Sequence, residues 1–332
     1  MALQSARFWL TKCFRDSLGY VVSLAVDGMD VIRQVDLVMW TKNGSKTLPV
    51  VLRRINKVIP EEVVGKRLIV DDGSTDETRE VARSFGWLVI FNEGTGISDG
   101  ANTALKHVTS ECFASFEQDL LLARDWWEKV SPSLSRPKVA VTSGVRLSSY
   151  PPSLIKLQEY TIERYLRKEL PTYLKGRETS AFFLAKTLDN TMYKTKVIRR
   201  IGGFPRLSVA VGVDHALAHQ VHVKGYEWKV HCTARSTHLR RGIRDELEHR
   251  YWYGTCLDGI EQTIFHKPAN LDRNILQFLV SPVMSLHVVV AKSNPQALCL
   301  YPLLRFYTLR GIFDGRKEQR KLVGKASAQN PR

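Results

Sequence analysis

The sequence predicts an α/β fold built on a mostly parallel, doubly wound sheet. Short apolar runs of strand length alternate with segments in which apolar residues recur every three to four positions, as on the buried face of a helix. The apolar runs in the first part of the chain end in polar or glycine-containing segments. Strands that alternate with helices at this spacing are typical of parallel sheets flanked by helices.

The first half of the chain carries the clearest pattern. Apolar runs ending at turn signals predict strands at 36–41, 67–70, 87–91 and 112–116, and helical spacing predicts helices at 48–60, after residue 75 and at 98–108. Ser74 or Thr75 is predicted to cap the second of these helices, since Asp76 and Glu77 would fill its first turn.

The second half is less regular. It contains predicted helices at 154–170 and 214–224, strand-like segments at 191–196 and 227–233, and a turn at 201–204. Gly225 follows the second helix at a favourable C-cap position. After residue 240 come a basic helix, two apolar segments at 275–291 and 297–313, and a Lys/Arg-rich tail that we predict to be disordered.

The composition is that of a folded protein with a large excess of positive charge. The 49 Lys and Arg against 33 Asp and Glu give a net charge of +16, which favours polyanionic or phosphorylated partners. The five cysteines are dispersed and include no Cys-x-x-Cys pair. This distribution argues against a disulfide framework and a structural zinc site, and it is typical of a reducing compartment.

The apolar segments near the C-terminus leave the relation to a membrane open. Residues 275–291 contain Pro282 and His287 and are shorter than the ~20 apolar residues that a spanning helix needs. Either this segment or residues 297–313 would form a core helix or an amphipathic helix lying on a membrane. Residues 1–30 show no signal-peptide pattern.

Polar side chains follow four of the predicted strands. They are Thr41-Lys42-Asn43, Asp71-Asp72, Asn92-Glu93 and Glu117-Gln118-Asp119. Ligands of doubly wound sheets bind beyond the carboxyl ends of the strands, so these four groups predict one shared site.

Glu117 and Asp119 flank a single residue at the end of a predicted strand. Two such carboxylates can share a hard divalent cation, and a cation bound to a diphosphate neutralises charge as a nucleotide leaves. Acidic residues that merely follow a strand are the alternative. The position of the pair downstream of Asp71-Asp72 favours the metal site.

Several segments, taken in order, resemble the family 2 glycosyltransferases of the GT-A fold. The resemblance covers roughly residues 35–240 and is carried by residues 70–78, residues 92–102, Glu117-Gln118-Asp119, residues 201–204 and 212–217, Lys224-Gly225-Tyr226 and His238. It implies a nucleotide-sugar-dependent, inverting enzyme with a Rossmann-like sheet and a helical C-terminal extension.

The resemblance also implies roles for individual residues. Asp71 or Asp72, with Thr41 nearby, would bind the nucleoside, and Asp119 would bind Mg²⁺ or Mn²⁺. Asp214 would be the general base for the acceptor hydroxyl, and His238 a further metal or diphosphate ligand. The remaining donor-site residues that it implies are Asn92, Gly96, Asn102 and Glu117.

The chain departs from the family pattern at three positions. Glu117 stands in place of the first Asp of the metal motif, Val213 in place of the usual Glu beside the catalytic Asp, and Gly44 where a Glu is common. No downstream Gln-x-x-Arg-Trp is present, which argues against a processive polysaccharide synthase.

The implied domain organisation has four parts. They are an N-terminal extension (1–34), a glycosyltransferase domain (35–240, with a donor half at 35–130 and an acceptor half at 131–240), a helical and partly apolar region (241–315) and a basic tail (316–332).

Three further groups of residues have two interpretations each. His215 and His219 have helical spacing for a zinc site, but packing histidines are commoner. Trp126-Trp127 would either pack in the core or stack on a sugar. The arginines around His238, Arg235 among them, would either form a solvated face or clamp phosphate.

We predict transfer of a sugar from a nucleotide diphosphate to a glycan or lipid-linked acceptor, such as a polyprenyl phosphate. The enzyme is expected in the cytoplasm, with peripheral contact at the cytoplasmic membrane face. The alternatives are a nucleotidyltransferase acting on sugar phosphates and a non-catalytic nucleic-acid-binding protein. A nucleic-acid partner is not expected, because interleaved aromatic and basic motifs are missing from the sequence.

Overall fold

The computed structural model describes residues 32–165, 173–174, 177–178, 185–239 and 242–329. Most of the predicted N-terminal extension, the end of the predicted helix at 154–170, Arg240, Arg241 and the last three residues lie outside this range. Four cysteines fall within it, and all four are free thiols.

The fold is organised around one mixed sheet of eight strands in the order β3-β2-β1-β4-β9-β6-β10-β5. The strands are β1 (Val35–Thr41), β2 (Val64–Asp71), β3 (Leu88–Phe91), β4 (Cys112–Phe116), β5 (Leu120–Leu121), β6 (Val139–Ser148), β9 (Asn190–Lys194) and β10 (Glu227–His238). Two further short strands, β7 (Tyr173–Leu174) and β8 (Arg177–Glu178), form a separate antiparallel pair.

The first four strands are mutually parallel, as the sequence predicts. Thr41 pairs with Asp71, and Asp71 pairs in turn with Phe91. Because parallel strands end at the same edge of a sheet, the residues that follow β1, β2 and β3 meet there.

The other half of the sheet differs from the predicted pattern. β9 runs antiparallel between β4 and β6, whereas β6 and β10 are parallel to each other. β10 continues to His238, beyond the predicted end at residue 233, and its pairing with β6 shifts register between Val230 and Arg235. The polar composition of its second half hides this extension from sequence analysis.

Helices cover the sheet and continue beyond it. They are α1 (Leu48–Val58), α2 (Thr78–Ser84), α3 (Gly96–His107), α4 (Trp126–Val130), α5 (Pro152–Tyr165), α6 (Thr195–Arg200), α7 (Val213–Val223), α8 (Gly242–Phe265), α9 (Leu271–Leu279), α10 (Ser281–Lys292) and α11 (Ala297–Gln329). Short 3₁₀ turns lie at Glu61–Val63 and Ser131–Ser135.

The predicted cap of α2 is wrong. The helix begins at Thr78, and the backbone N–H of that residue donates to Asp76 Oδ1 (3.1 Å). Ser74 instead receives a hydrogen bond from the backbone N–H of Asn43 at the end of β1 (2.9 Å). The hydroxyl expected to start a helix therefore joins two strand-end loops.

The C-terminal helices form a compact unit in which α8 and α11 lie backbone to backbone. Gly254 and Gly311 face each other at the crossing, and a β-carbon on either one would collide with the backbone of the opposite helix. The predicted disorder of the tail is wrong for residues 316–329, because α11 continues to Gln329. Aliphatic packing along its inner face, including Leu304 and Ile312, holds the first part of this helix.

Candidate active site

Asp72 organises the loops that follow β1, β2 and β3. Its Oδ1 accepts from Asn92 Nδ2 (2.7 Å) and from the backbone N–H of Gly96 (3.2 Å). Its own backbone N–H donates to the Thr41 carbonyl (2.9 Å). Gly96 has a φ of +72°, a conformation that favours glycine and lets its N–H point at the carboxylate. The structure thus brings together four of the predicted donor-site residues.

Asp71 is buried beside Asp72, with 1% of its surface exposed. One oxygen, Oδ2, accepts from the backbone N–H of Ser74 (3.1 Å). Its other oxygen, Oδ1, is buried and has no hydrogen-bond partner in the part of the chain that the structure describes. An unsatisfied buried acceptor costs about 1–3 kcal/mol, so a ligand that donates to it would bind favourably.

Two strand-end loops are joined by hydrogen bonds beneath this site. The Gly44 N–H donates to Thr78 Oγ1 (2.7 Å), and the Ser45 N–H donates to Asp76 Oδ2 (3.2 Å). The Thr78 hydroxyl, followed by contacts from Ser45, lowers the pKa of Asp76 to about 2. Asp76 is therefore a carboxylate at neutral pH and holds both loops in place.

Gln118, the middle residue of the predicted metal motif, was assigned no role from the sequence. Its Oε1 accepts from the Thr41 hydroxyl and from the Lys42 N–H (3.1 Å), and its Nε2 donates to the Lys42 carbonyl (3.1 Å). The hydroxyl of Thr41 is thus engaged by Gln118, which fixes the acidic motif to the end of β1.

Glu117, Asp119 and His238 converge at the centre of the site. Their ligand atoms lie within 4.8 Å of one another, and within the described residues no other group of three His, Cys, Asp or Glu side chains has such spacing. His238 Nε2 is 3.5 Å from Asp119 Oδ1 and 3.6 Å from Glu117 Oε2. Two carboxylates and one imidazole fit an oxygen-preferring divalent ion such as Mg²⁺ or Mn²⁺.

Arg146 lies against this triad and was missed by the sequence analysis. Its Nη1 is 3.8 Å from Glu117 Oε2 and 2.7 Å from Asp189 Oδ2. Burial opposes the charge, but Asp189 and Glu117 outweigh that effect and raise the pKa of the Arg146 guanidinium. The alternating apolar residues of β6 could have indicated a strand at Arg146. The pairing of Arg146 with Asp189, however, spans 43 residues and leaves no local sequence pattern.

Asp214 lies in the first turn of α7, where a helix N-terminus stabilises negative charge. Its Oδ1 accepts from the backbone N–H of His215 (2.9 Å), and its charge contributes to the raised pKa of Arg146. Val213 before it is buried in the core, so a glutamate at that position would be directed into apolar surroundings.

Asn102, which we predict to lie at the donor site, bonds to the backbone of Phe204. Its Nδ2 donates to the Phe204 carbonyl (2.8 Å), and its Oδ1 accepts from the Phe204 N–H (2.9 Å). Gly203 has a φ of +80°, and a β-carbon there would lie 2.6 Å from Asn102 Oδ1. Asn102 therefore joins α3 to the turn at 201–204.

Trp126 and His215 take their packing interpretations. Trp126 is fully buried and donates to the Asn190 carbonyl (3.2 Å). Burial lowers the pKa of His215, whose Nδ1 is 3.0 Å from the Tyr253 hydroxyl. Arg235 is exposed and pairs with Glu159 (2.9 Å) and with a second carboxylate of α5, which fits the solvated face that the sequence allowed for it.

Comparison with known proteins places these features in a family. A family model described as Glycosyl transferase family 2 matches residues 36–202. No curated protein matches the chain.

Solved structures share the fold at low sequence identity. The mannosyltransferase PcManGT from Pyrobaculum calidifontis, in complex with GDP-Man and Mn²⁺, matches with a TM-score of 0.53 and 18% identity over 91% of this chain and 82% of that one. Glucosyl-3-phosphoglycerate synthase from Mycobacterium tuberculosis, in complex with Mn²⁺, UDP-glucose and glycerol 3-phosphate, matches with a TM-score of 0.51 and 14% identity over 72% and 82% of the two chains.

Proposed function

The chain belongs to glycosyl transferase family 2, and on that premise we propose that it transfers a sugar from a nucleotide diphosphate to a lipid-linked or phosphate-bearing acceptor. It has the GT-A fold and is a glycosyltransferase. The observation that carries the proposal is the convergence of Glu117, Asp119 and His238 beside the paired aspartates at the end of β2.

The nucleoside would bind over the ends of β1, β2 and β3. Asp71 offers a buried oxygen that accepts no hydrogen bond from the described residues, which suits an N–H of a base or an O–H of a ribose. Asp72, Asn92 and Gly96 are already bonded to one another, so in this proposal they shape the pocket. In the same way, Thr41 would shape the pocket through its bond to Gln118, and Asn102 through its bond to Phe204.

The diphosphate would lie at the triad. Glu117, Asp119 and His238 would hold Mg²⁺ or Mn²⁺, and the ion would neutralise negative charge on the leaving nucleotide. Arg146, fixed by Asp189, places a permanent positive charge next to the Glu117 carboxylate of the triad. Both similar structures contain Mn²⁺ together with a nucleotide sugar, which supports this choice of ion and donor.

On the acceptor side, Asp214 would take the proton from an attacking hydroxyl in a single inverting displacement. Its neighbour Val213 is buried and adds no second acid. An acceptor that attacks through a phosphate oxygen needs no strong base, so a polyprenyl phosphate would suit this site. The net charge of +16 and exposed apolar C-terminal helices support a lipid-borne acceptor and an enzyme working at a cytoplasmic membrane face.

Neither alternative from the sequence is retained. Membership of a glycosyltransferase family argues against a nucleotidyltransferase and against a protein that only binds nucleic acid.

The test is donor turnover by an Asp119→Ala variant against a panel of nucleotide sugars, with Mn²⁺ or a chelator. We expect the wild type to consume one donor only when metal is present and the variant to lose at least about 100-fold in rate. Asp125→Ala is the matched control, because Asp125 lies six residues away in an exposed ion pair with Lys129. Full activity of Asp119→Ala would overturn the metal assignment.

A further inference from the structure

We propose that α9 and α10 form a membrane-docking elbow that rests on an anionic lipid surface. The elbow comprises Leu271–Leu279 and Ser281–Lys292, two helices that meet at a bend of 49°. The inference deepens the proposed use of a lipid-borne acceptor by naming the surface that would bring the enzyme to the lipid.

Large aliphatic side chains point to solvent along the whole elbow. Leu276, Leu279, Val283 and Leu286 are each more than half exposed, and Val290 is 86% exposed. Within α9 and within α10 they recur every three or four residues, so each helix exposes an apolar stripe. Soluble monomers rarely expose such a contiguous stripe, and when they do it marks an interaction surface.

The inner face of α10 is only partly apolar. Ser281 and Ser285 are fully buried, and the Ser285 hydroxyl donates to the Ser281 carbonyl (2.8 Å). Val288 packs inward with the two serines, while Val283, Leu286 and Val290 face outward. In a helix that packs in a soluble core, most of the large apolar residues face inward. The three aliphatic residues left outside are favourable where an apolar medium covers the outer face.

The elbow is suited to lying on a bilayer. Within the described residues no single helix is long and apolar enough to cross a membrane, and α9 and α10 reach that length and composition only as a bent pair. The inner face of α10 packs against α11 and α5. Asn294, just after α10, also donates to the Ser153 carbonyl of α5 (2.8 Å). A helix anchored on one side to the body of the enzyme presents only its other side to lipid.

The surrounding charge selects the lipid as the partner. Residues 271–332 contain ten Lys or Arg and three Asp or Glu, a net excess of positive charge in the C-terminal region. On the elbow itself, Arg273 and Lys292 are paired with Glu261 and Glu163, so the excess comes from α11 and the tail. A second copy of the chain seated on the elbow would bring an equal excess of positive charge against the first. An anionic headgroup layer attracts that positive charge instead.

The experiment measures co-sedimentation of the full chain with vesicles. The probes are vesicles of phosphatidylcholine with phosphatidylserine and vesicles of phosphatidylcholine alone. The test variant is Leu286→Ser with Val290→Ser. Its matched control is Leu88→Ser with Val223→Ser, which removes one exposed Leu and one exposed Val from the GT-A domain.

We expect the wild type and the control to bind the anionic vesicles and to be released by high salt or carbonate. The test variant should bind at least about tenfold more weakly, because two aliphatic side chains no longer pass from water into the apolar part of the bilayer. Equal binding by the test variant and the control would overturn the proposal. A wild type that binds neither kind of vesicle would also overturn it. So would elbow mutations that convert a dimer to a monomer in light scattering.

Failure of this inference is separable from failure of the proposed function. Turnover of the donor in the absence of lipid should be the same for the test variant and the wild type. An Asp119→Ala variant should lose turnover and keep its vesicle binding.

Discussion

Gly44 and Gln118 are so close that a β-carbon on Gly44 would lie 2.5 Å from Oε1 of Gln118. The departure of residue 44 from the family pattern thus has a structural counterpart. Gln118 occupies the space in which a larger side chain at residue 44 would begin, and it uses that position to hold Thr41 and Lys42.

This contact predicts a non-additive double mutant. Gly44→Ala should displace the Gln118 amide and cost about 1–2 kcal/mol of unfolding free energy, because its hydrogen bonds to β1 are lost. Gln118→Ala should cost a similar amount, and the double variant should cost no more than Gln118→Ala alone. Urea denaturation of the four proteins measures the cycle, and additive losses would contradict the proposed packing.

Asp214→Asn tests the proposed base catalysis separately from donor binding. The asparagine keeps the oxygen that accepts from the His215 N–H, so the first turn of α7 should be unchanged. We expect kcat to fall about 100-fold or more with a hydroxyl acceptor, while the donor KM stays within about twofold. With an acceptor that attacks through phosphate, the loss should be less than about tenfold.

The matched control is Asp272→Asn, which changes an aspartate in the first turn of α9. Equal losses in the two variants would show that helix-terminal charge, and not proton transfer, accounts for the effect.

Asp189→Asn tests the support of Arg146. The substitution leaves a partly buried guanidinium with only the more distant charges of Glu117 and Asp214 to balance it, and we expect a loss of about 2 kcal/mol of unfolding free energy. Arg146 should then move toward Glu117 and compete with the metal, so the Mn²⁺ needed for half-maximal rate should rise several-fold. Asp125→Asn, in an exposed pair with Lys129, should change stability by less than about 0.5 kcal/mol.

Asp36 makes stability depend on pH at the acidic end. Burial alone would raise its pKa, but backbone N–H groups of Lys66, Thr109 and Ser110 and the Ser110 hydroxyl donate to it and together lower the pKa. The folded protein therefore binds this proton less readily than the unfolded chain. The stabilisation is fully present above the unfolded pKa of ~3.9 and is lost as pH falls through the lower folded pKa.

Asp36→Ala should cost about 3 kcal/mol at neutral pH, because several buried donors lose their acceptor. The difference between the wild type and the variant should shrink when urea denaturation is repeated toward pH 3. A difference that stays constant from neutral to acidic pH would contradict this account.

The first half of the fold was predictable because its information is local. The apolar runs that end at Thr41, Asp71 and Phe116 mark strands whose pairing is parallel, and parallel strands bring their following residues to one edge. The family resemblance added His238 to that edge, although nothing in its immediate sequence indicates a ligand.

What the sequence did not reveal depends on long-range contacts. Asp189 follows a segment without clear periodicity, yet the antiparallel strand β9 sets it beside Arg146. Gln118 was indistinguishable from a spacer because its partners come from β1. The outward-facing aliphatic residues of α10 were visible as apolar, but the direction in which they point is fixed only by packing against α5 and α11.

The position of His238 at the last residue of β10 has a consequence for how the enzyme is made. Glu117 and Asp119 leave the ribosome more than a hundred residues before the histidine does. A nascent chain that has assembled only β1 to β4 therefore presents Glu117 and Asp119 without the third ligand. In a complete chain, a one-residue slip in the register of β10 would turn His238 to the opposite face of the sheet. An ion at the triad would consequently stabilise only chains whose sheet has been completed in register, so supplying metal during expression should favour finished molecules over truncated ones.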